Sequence, residues 1–241
     1  MSTVPMKAIR RPVLTARWSN LAILTYETPP ALLEPHLPAG LALDTRGGTA
    51  FASLVAFDFL DTRVLGVPWP GFRDFPELNL RFYVKQGSRR GVVFIREFVP
   101  RLLVSWLARA LYHEPYLVAP IDSRVDEGGA AVTTVRCLRW HGRDHRIEVT
   151  GDRPAGQPSE DSDEHFFKEH SWGYGTSRRG KLIRYEVSHP EWDVYPVREF
   201  AADVDWGTLY GPEWAVMNGA APASVVLARG SEISVFPKGT G

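Results

Sequence analysis

Residues Phe75–Gly87, FPELNLRFYVKQG, place Glu77, Asn79, Arg81, Tyr83 and Lys85 at odd positions and Leu78, Leu80, Phe82 and Val84 at even ones. Successive side chains of a strand leave opposite faces, so an unbroken two-residue period of this length specifies a strand. It also specifies a strand with one polar face. Such a face is either the wet exterior of an antiparallel sheet, the ordinary outcome, or one wall of a polar cavity inside a barrel.

The neighbouring segments carry the same β signal. Ala16–Thr28 is a long strand candidate, and PPALLEPHLP after it reads as a short helix with prolines in its first turn, where a missing N–H costs little. Gly40–Asp44 and Thr49–Gly66 read as strands around the Arg46-Gly47-Gly48 turn, the second apolar on both faces like a strand buried on two sides. A Pro/Gly loop carrying Trp69 leads into the opening strand. A Gly-containing turn over Gln86–Arg90 then joins it to Gly91–Val99 as a hairpin. Leu102, Leu103, Trp106, Leu107, Ala110 and Leu111 recur at three- and four-residue spacing and predict a helix over Arg101–His113. Further strands follow near Tyr116–Val125, Ala130–Trp140, His145–Thr150, Lys181–His189, Asp193–Phe200, Ser224–Ala228 and Ser231–Phe236, with a polar surface loop over residues 152–163 and a short helix through EHFFKEH. Many strands with few helices predict a mainly β (α+β) protein, a closed or sandwiched sheet with covering helices. The expected organisation is a single domain over residues 1–241, with residues 1–16 as an N-terminal extension.

Function classes narrow quickly. Acidic and basic residues balance at 28 each, so no global field favours nucleic acid or an anionic membrane. Neither a signal h-region nor an apolar run of about 18 residues occurs, so the expectation is a soluble, cytoplasmic chain. Cys137 is the only cysteine, which excludes an internal disulfide and a cysteine-rich metal site. His141 and His145 have a metal-like spacing, but Gly142 and Asp144 place them in a hairpin turn instead of on a helix. His165 and Glu169 read as a solvated helix face beside buried Phe166 and Phe167. No nucleophile elbow and no phosphate-cradling glycine motif is present, so neither metal nor cofactor is expected. Any lysine chemistry must come from Lys7, Lys85, Lys168, Lys181 or Lys238.

LTYETPPALLEPHLPAGL (Leu24–Leu41) resembles the first strand–helix–strand of acetoacetate decarboxylase, and Phe75–Glu77 resembles its aromatic-x-Glu strand opening. LNLRFYV, EPYLVA and VSHPEWDVYPV resemble more closely a branch of that superfamily designated domain of unknown function 2071. The resemblance runs from about Arg17 to Phe236. It implies an acetoacetate decarboxylase-like β-barrel with a few covering helices, a cavity entered from one end, and Glu77 as a cavity carboxylate. The decarboxylase's first-strand arginine falls at or near Ser19, with Arg17 as the nearby substitute at the mouth.

The departures bear on mechanism. The decarboxylase forms a Schiff base through a lysine of depressed pKa. After Pro115 this chain has Tyr116 and Leu117 in place of that motif's two lysines, and neither can form an imine. Lys85 shares the Glu77 face but lies about 26 Å along the strand. Where the branch commonly carries a Glu-Arg-Tyr-like sequence, Glu169 is followed by His170. The expected role is therefore binding of a small polar carboxylate or carbonyl compound without Schiff-base chemistry. Glu77 is the acid/base candidate and Tyr116 a donor to an oxyanion. Asn79, Arg81 and Arg17 are ligand contacts, Arg81 as a bidentate carboxylate clamp. Two alternatives stand beside this: a lysine-independent lyase or isomerase using Glu77, and a non-catalytic structural or interaction module with a filled barrel. Tyr83 and Lys85 are expected near the barrel rim. The sequence leaves the oligomeric state open.

Overall fold

The computed structural model describes residues 10–68, 71–102 and 115–240. Apart from its first two residues, the helix expected over Arg101–His113 lies outside them, as does Trp69. In chain order the strands are β1 (Leu14–Glu27), β2 (Ala42–Leu43), β3 (Phe51–Val64), β4 (Val67–Pro68), β5 (Phe75–Gln86), β6 (Arg89–Val99), β7 (Tyr116–Val118) and β8 (Ile121–Asp126). They continue as β9 (Ala131–Trp140), β10 (Arg143–Asp152), β11 (Trp172–Thr176), β12 (Leu182–Ser188), β13 (Val194–Tyr195), β14 (Val197–Asp203), β15 (Ser224–Val235) and β16 (Gly239–Thr240). Among the described residues three short α-helices accompany them: α1 (Pro30–Leu33), α2 (Asp163–Lys168) and α3 (Trp206–Tyr210).

The protein is mainly β, built on one large barrel-like sheet. Its strands run β15-β1-β3-β5-β6-β11-β12, and β12 meets β15 again at Val187–Val235 and Ser188–Ser234. That seam is short, and the β6–β11 contact is parallel over Gly173–Val92 and Tyr174–Val93, so the ring is tight on one side and loosely joined on the other. A second, antiparallel sheet, β14-β10-β9-β8, lies against the outside.

Two apolar clusters follow from this arrangement. Outside the barrel, Leu54 and Ala56 of β3 and Leu78, Leu80 and Phe82 of β5 join Val132, Leu138, Ile147 and Val149 of the second sheet. Inside it, Val55, Phe57 and Phe59 of β3 pack with Ala16, Leu21 and Ile23 of β1 and Ile233 and Val235 of β15. The two-sided apolarity of β3 thus has its cause: it separates two cores. The second sheet is also pinned by a buried ion pair. Asp58 of β3 accepts from Arg136 Nη2 at 2.8 Å and from Ser123 Oγ at 3.0 Å, and Arg136 is only 1% exposed.

The helices cap ends and gaps. Ser162 caps α2 by accepting from the His165 N–H at 3.2 Å, and Asp205 caps α3 through the Thr208 N–H at 3.0 Å. His145 sits just past the β9–β10 turn, as its hairpin context implies, but it is fully buried, and its Nδ1 accepts from the Asp205 N–H at 3.2 Å. Its role is to hold the start of α3.

β1 bends where its register against β3 shifts between Ser19 and Ala22. There Gly230 of β15 stands opposite Ser19 with φ +79, and a Cβ on it would press on the Trp18 carbonyl oxygen. Gly230→Ala combines a left-handed backbone with a backbone clash, and we expect it to lower unfolding free energy by about 2 kcal/mol or more. Urea titration measures this; an unchanged midpoint would show that β15 relaxes freely at the bend.

Candidate functional site

Both faces of β5 are buried. Its even residues enter the outer core; its odd residues Glu77, Asn79 and Arg81 point into a cavity of about 140 Å³ within the barrel. Glu77 and Asn79 are each 2% exposed and Arg81 7%. The wet-exterior reading of this face is therefore excluded. Tyr83, expected near the rim, is buried: its hydroxyl joins a chain with Ser53 and Thr25 and reaches the Phe167 carbonyl at 3.3 Å. Lys85 is exposed beside the hairpin turn.

The carboxylate end is a compact cluster. Asn79 Nδ2 donates to Glu77 Oε1 at 2.8 Å, and the Tyr116 hydroxyl donates to Glu77 Oε2 at 3.0 Å. Tyr116 opens β7, whose parallel register sets it against Glu97 of β6, and Glu97 in turn faces Asn79. Burial pushes the Glu77 carboxyl up to about 7, against the opposing pull of hydrogen bonds from Asn79, Tyr116 and Glu97 and of the Arg81 charge. Burial and the adjoining carboxyls of Glu77 and Glu97 drive the Tyr116 phenol far above its ordinary value, so it remains a donor.

The sequence did not single out Glu97. Along β6, Val92 and Phe94 face the cavity, as does Glu97, three residues after Phe94. The β5–β6 register slips between Leu80/Arg96 and Arg81/Phe94, placing one extra residue in β6. That bulge changes which parity points inward, and a simple alternation pattern cannot reveal it.

The opposite end is closed by α2. Arg81 Nη2 donates to the Phe167 carbonyl at 3.1 Å, and Phe167 packs its ring on Phe51 at 5.1 Å. The helix ends before Glu169, so His165 and Glu169 are not paired on a helix face, and the expected solvated face is corrected: Phe167, Lys168 and His170 are all buried. Lys168 lines the cavity with its side chain fully buried and ion-paired to Glu169, whose Oε1 also accepts from the Trp192 N–H at 3.4 Å. Lys168, one of the five lysines in the sequence, thus brings an amine to the cavity from α2, while Tyr116 occupies the wall beside Glu77. A break in helix geometry after two phenylalanines was the missing signal.

His170 also borders the cavity. Burial first, then the positive charges of Arg81 and Arg90 and the nearby His189, hold its imidazole well below the ordinary value and therefore neutral. Its two ring nitrogens, Arg81 Nε and Asn79 Oδ1 have no hydrogen-bond partner among the described residues. Arg81 has no carboxylate within ion-pair distance among the described residues.

At the other end the wall is aromatic. Phe59 and Phe75 stack at 4.8 Å, and Trp18 meets Phe57 and Phe59 edge-on at 5.1 and 5.8 Å. Half-buried Leu14, Val64 and Phe72 mark the mouth there. Arg17 is not at that mouth. Ala16 and Trp18 turn inward, so Arg17 between them turns outward, is exposed, and borders a separate cleft with Arg153 and Arg229.

The Glu77 shift has a signed consequence for stability. A carboxyl raised from 4.5 to about 7 keeps its proton in the folded state while the unfolded chain loses it, so folding weakens as pH rises through that window. The full effect is of order 3 kcal/mol. Glu77→Gln removes it, so the variant's stability relative to the parent should rise between pH 4.5 and pH 7. Taking this difference cancels the opposite, acid-side contribution of neutral His170. Melting curves across pH measure it, and a constant difference would place Glu77 in contact with water.

A family model for DUF2071, an uncharacterized conserved protein, matches residues 15–232. YqjF of Bacillus subtilis strain 168 is 28% identical over 184 residues, covering 75% of this chain and 74% of that protein. Among solved structures, acetoacetate decarboxylase from Legionella pneumophila superposes with a TM-score of 0.64 at 14% identity, covering 100% of this chain and 91% of that one. The enduracididine biosynthesis enzyme MppR complexed with pyruvate gives 0.63 at 17% identity, covering 97% and 92%. At these identities the structural likeness carries the fold alone. The chain belongs to the DUF2071 family and has the acetoacetate decarboxylase-like fold.

Proposed function

We propose that the barrel cavity binds a small carboxylate- or carbonyl-bearing molecule. One observation carries this reading: among the described residues, Arg81 is buried in the cavity wall with no carboxylate partner and with its Nε–H unmatched. A guanidinium removed from water needs a counter-charge, and an anionic ligand supplies one. Asn79 Oδ1 and the His170 nitrogens offer further polar contacts on the same cavity. The MppR structure complexed with pyruvate is consistent with a small acid in a barrel of this kind. A cavity of about 140 Å³ weighs against the filled-barrel, purely structural alternative.

A second reading, a lyase or isomerase acting next to a carbonyl, is favoured by the Glu77–Tyr116 pair. A carboxyl titrating near 7 can both take and return a proton, and a phenol held as donor can support the enolate oxygen. In either reading Lys168 acts as a fixed positive charge, because its ion pair with Glu169 engages the ammonium.

A melting-temperature screen of short oxo and hydroxy acids tests the binding reading. Hits should lose roughly 10- to 100-fold in affinity in Arg81→Ala, the effect of one charge-assisted pair. Equal binding by the variant would remove Arg81 from the site. Borohydride treatment with acetoacetate should leave the chain unmodified; an adduct on Lys168 would replace the fixed-charge role with imine chemistry.

A further inference from the structure

A second concavity, of about 400 Å³, lies outside the barrel where β1 bends. Its walls come from stretches distant in sequence: β1 around Arg17–Asn20, β15 at Arg229, Glu127 in the β8–β9 turn, and Arg153 with the residues after β10. The bend builds it. Pairing between β1 and β15 skips Asn20 and Arg229, and Asn20 takes a left-handed backbone, φ +50, that asparagine tolerates better than most residues. The Asn20 side chain is thereby buried, 5% exposed, and its Nδ2 donates to Glu127 Oε1 at 3.0 Å and to Ser19 Oγ at 3.2 Å. From the other side Arg153 Nη2 donates to the Glu127 carbonyl at 3.1 Å and lies 3.8 Å from its carboxylate. Glu127 is therefore a fixed acceptor.

Charge in the cleft does not balance. Three guanidinium groups, Arg17, Arg153 and Arg229, face one carboxylate, Glu127. Among the described residues neither Arg17 nor Arg229 has a carboxylate within ion-pair distance, although Glu232 stands opposite Arg17 in the strand register. We propose that this cleft binds a sugar phosphate, its phosphoryl group among the three arginines and a hydroxyl of its body donating to Glu127. A phosphomonoester carries nearly two negative charges and three acceptor oxygens, which matches an excess of two positive charges and three donor forks. A lone carboxylate has one charge and two oxygens, and leaves a guanidinium unmatched. A hydroxyl-bearing body suits the carboxylate that remains, which would repel a second anionic group. The rim opposes a polyanion: Asp126 and Glu232 are exposed beside the arginine-bearing segments, in a chain of zero net charge. The site is separate from the barrel cavity, with Trp18 bordering both.

Calorimetric titration of the full chain with ribose 5-phosphate, inorganic phosphate and ribose, at about 0.15 M salt where diffuse fields are screened, tests the assignment. Ribose 5-phosphate should bind, inorganic phosphate more weakly, and ribose not at all. Arg17→Gln and Arg229→Gln change exposed side chains and should each weaken ribose 5-phosphate by about three- to tenfold, while Arg178→Gln in the β11–β12 turn leaves it unchanged. Glu127→Gln keeps an acceptor for Asn20 but removes the negative charge. It should tighten inorganic phosphate and narrow the advantage of ribose 5-phosphate over it, a pair of effects that mere loosening of the turn would not produce. Failure of ribose 5-phosphate to bind, or equal binding by the Arg17 and Arg229 variants, overturns the proposal. Inorganic phosphate binding as tightly as ribose 5-phosphate removes the sugar. Displacement of ribose 5-phosphate by an oligonucleotide or by phosphatidylglycerol vesicles at equal phosphate concentration reassigns the cleft to a macromolecular surface and also overturns it. None of these outcomes bears on Arg81 or the barrel.

Discussion

A strand buried on both faces leaves no place for an unmatched polar group, and β5 is such a strand. Its even residues bind the second sheet to the barrel, and its odd residues must settle their polarity within the barrel. Most of the site follows from that constraint. Asn79 and Tyr116 stabilise Glu77, the Phe167 carbonyl anchors Arg81, and the hydroxyls of Ser53 and Thr25 accommodate Tyr83. Among the described residues, Asn79 Oδ1, Arg81 Nε and both His170 nitrogens stay unmatched on this one cavity, while others, such as Arg136 Nε and Trp214 Nε1, lie elsewhere.

The arrangement divides labour between charge and neutrality. Two carboxyl groups and a phenol crowd the middle of the barrel, and burial keeps a proton on Glu77 near neutral pH. Two cations lie at the closed end, one tied to Glu169 and one to a backbone carbonyl, while His170 between the charged groups stays neutral. The acetoacetate decarboxylase-like fold here carries its amine, Lys168, on the end helix and a phenol, Tyr116, on the wall beside Glu77.

Much of this was legible in the sequence. The alternation of β5, the two-sided apolarity of β3 and the glycine turn between β5 and β6 each rest on local chemistry, and each formed as read. The ordered motifs from Leu24 to Leu41 and around Glu77 pointed to the family and turned Glu77 inward. What escaped depends on contacts distant in sequence. Glu97 required the β6 bulge, which exists only in the pairing with β5. Lys168 and His170 required knowing that the chain leaves helical geometry at Glu169 and folds back into the barrel. Arg17 illustrates the opposite error: family position suggested the mouth, and simple parity against Ala16 and Trp18 sends it outside.

The protonated Glu77 has a consequence for binding energetics. An anion entering the barrel raises the cost of a carboxylate beside it, so occupancy strengthens proton retention on Glu77. By linkage, an anionic ligand bound as proposed would draw a fraction of a proton from solution near neutral pH, and its heat of association would vary with the ionisation enthalpy of the buffer. A carboxylate taken up in this way would bring with it the proton that offsets part of its charge.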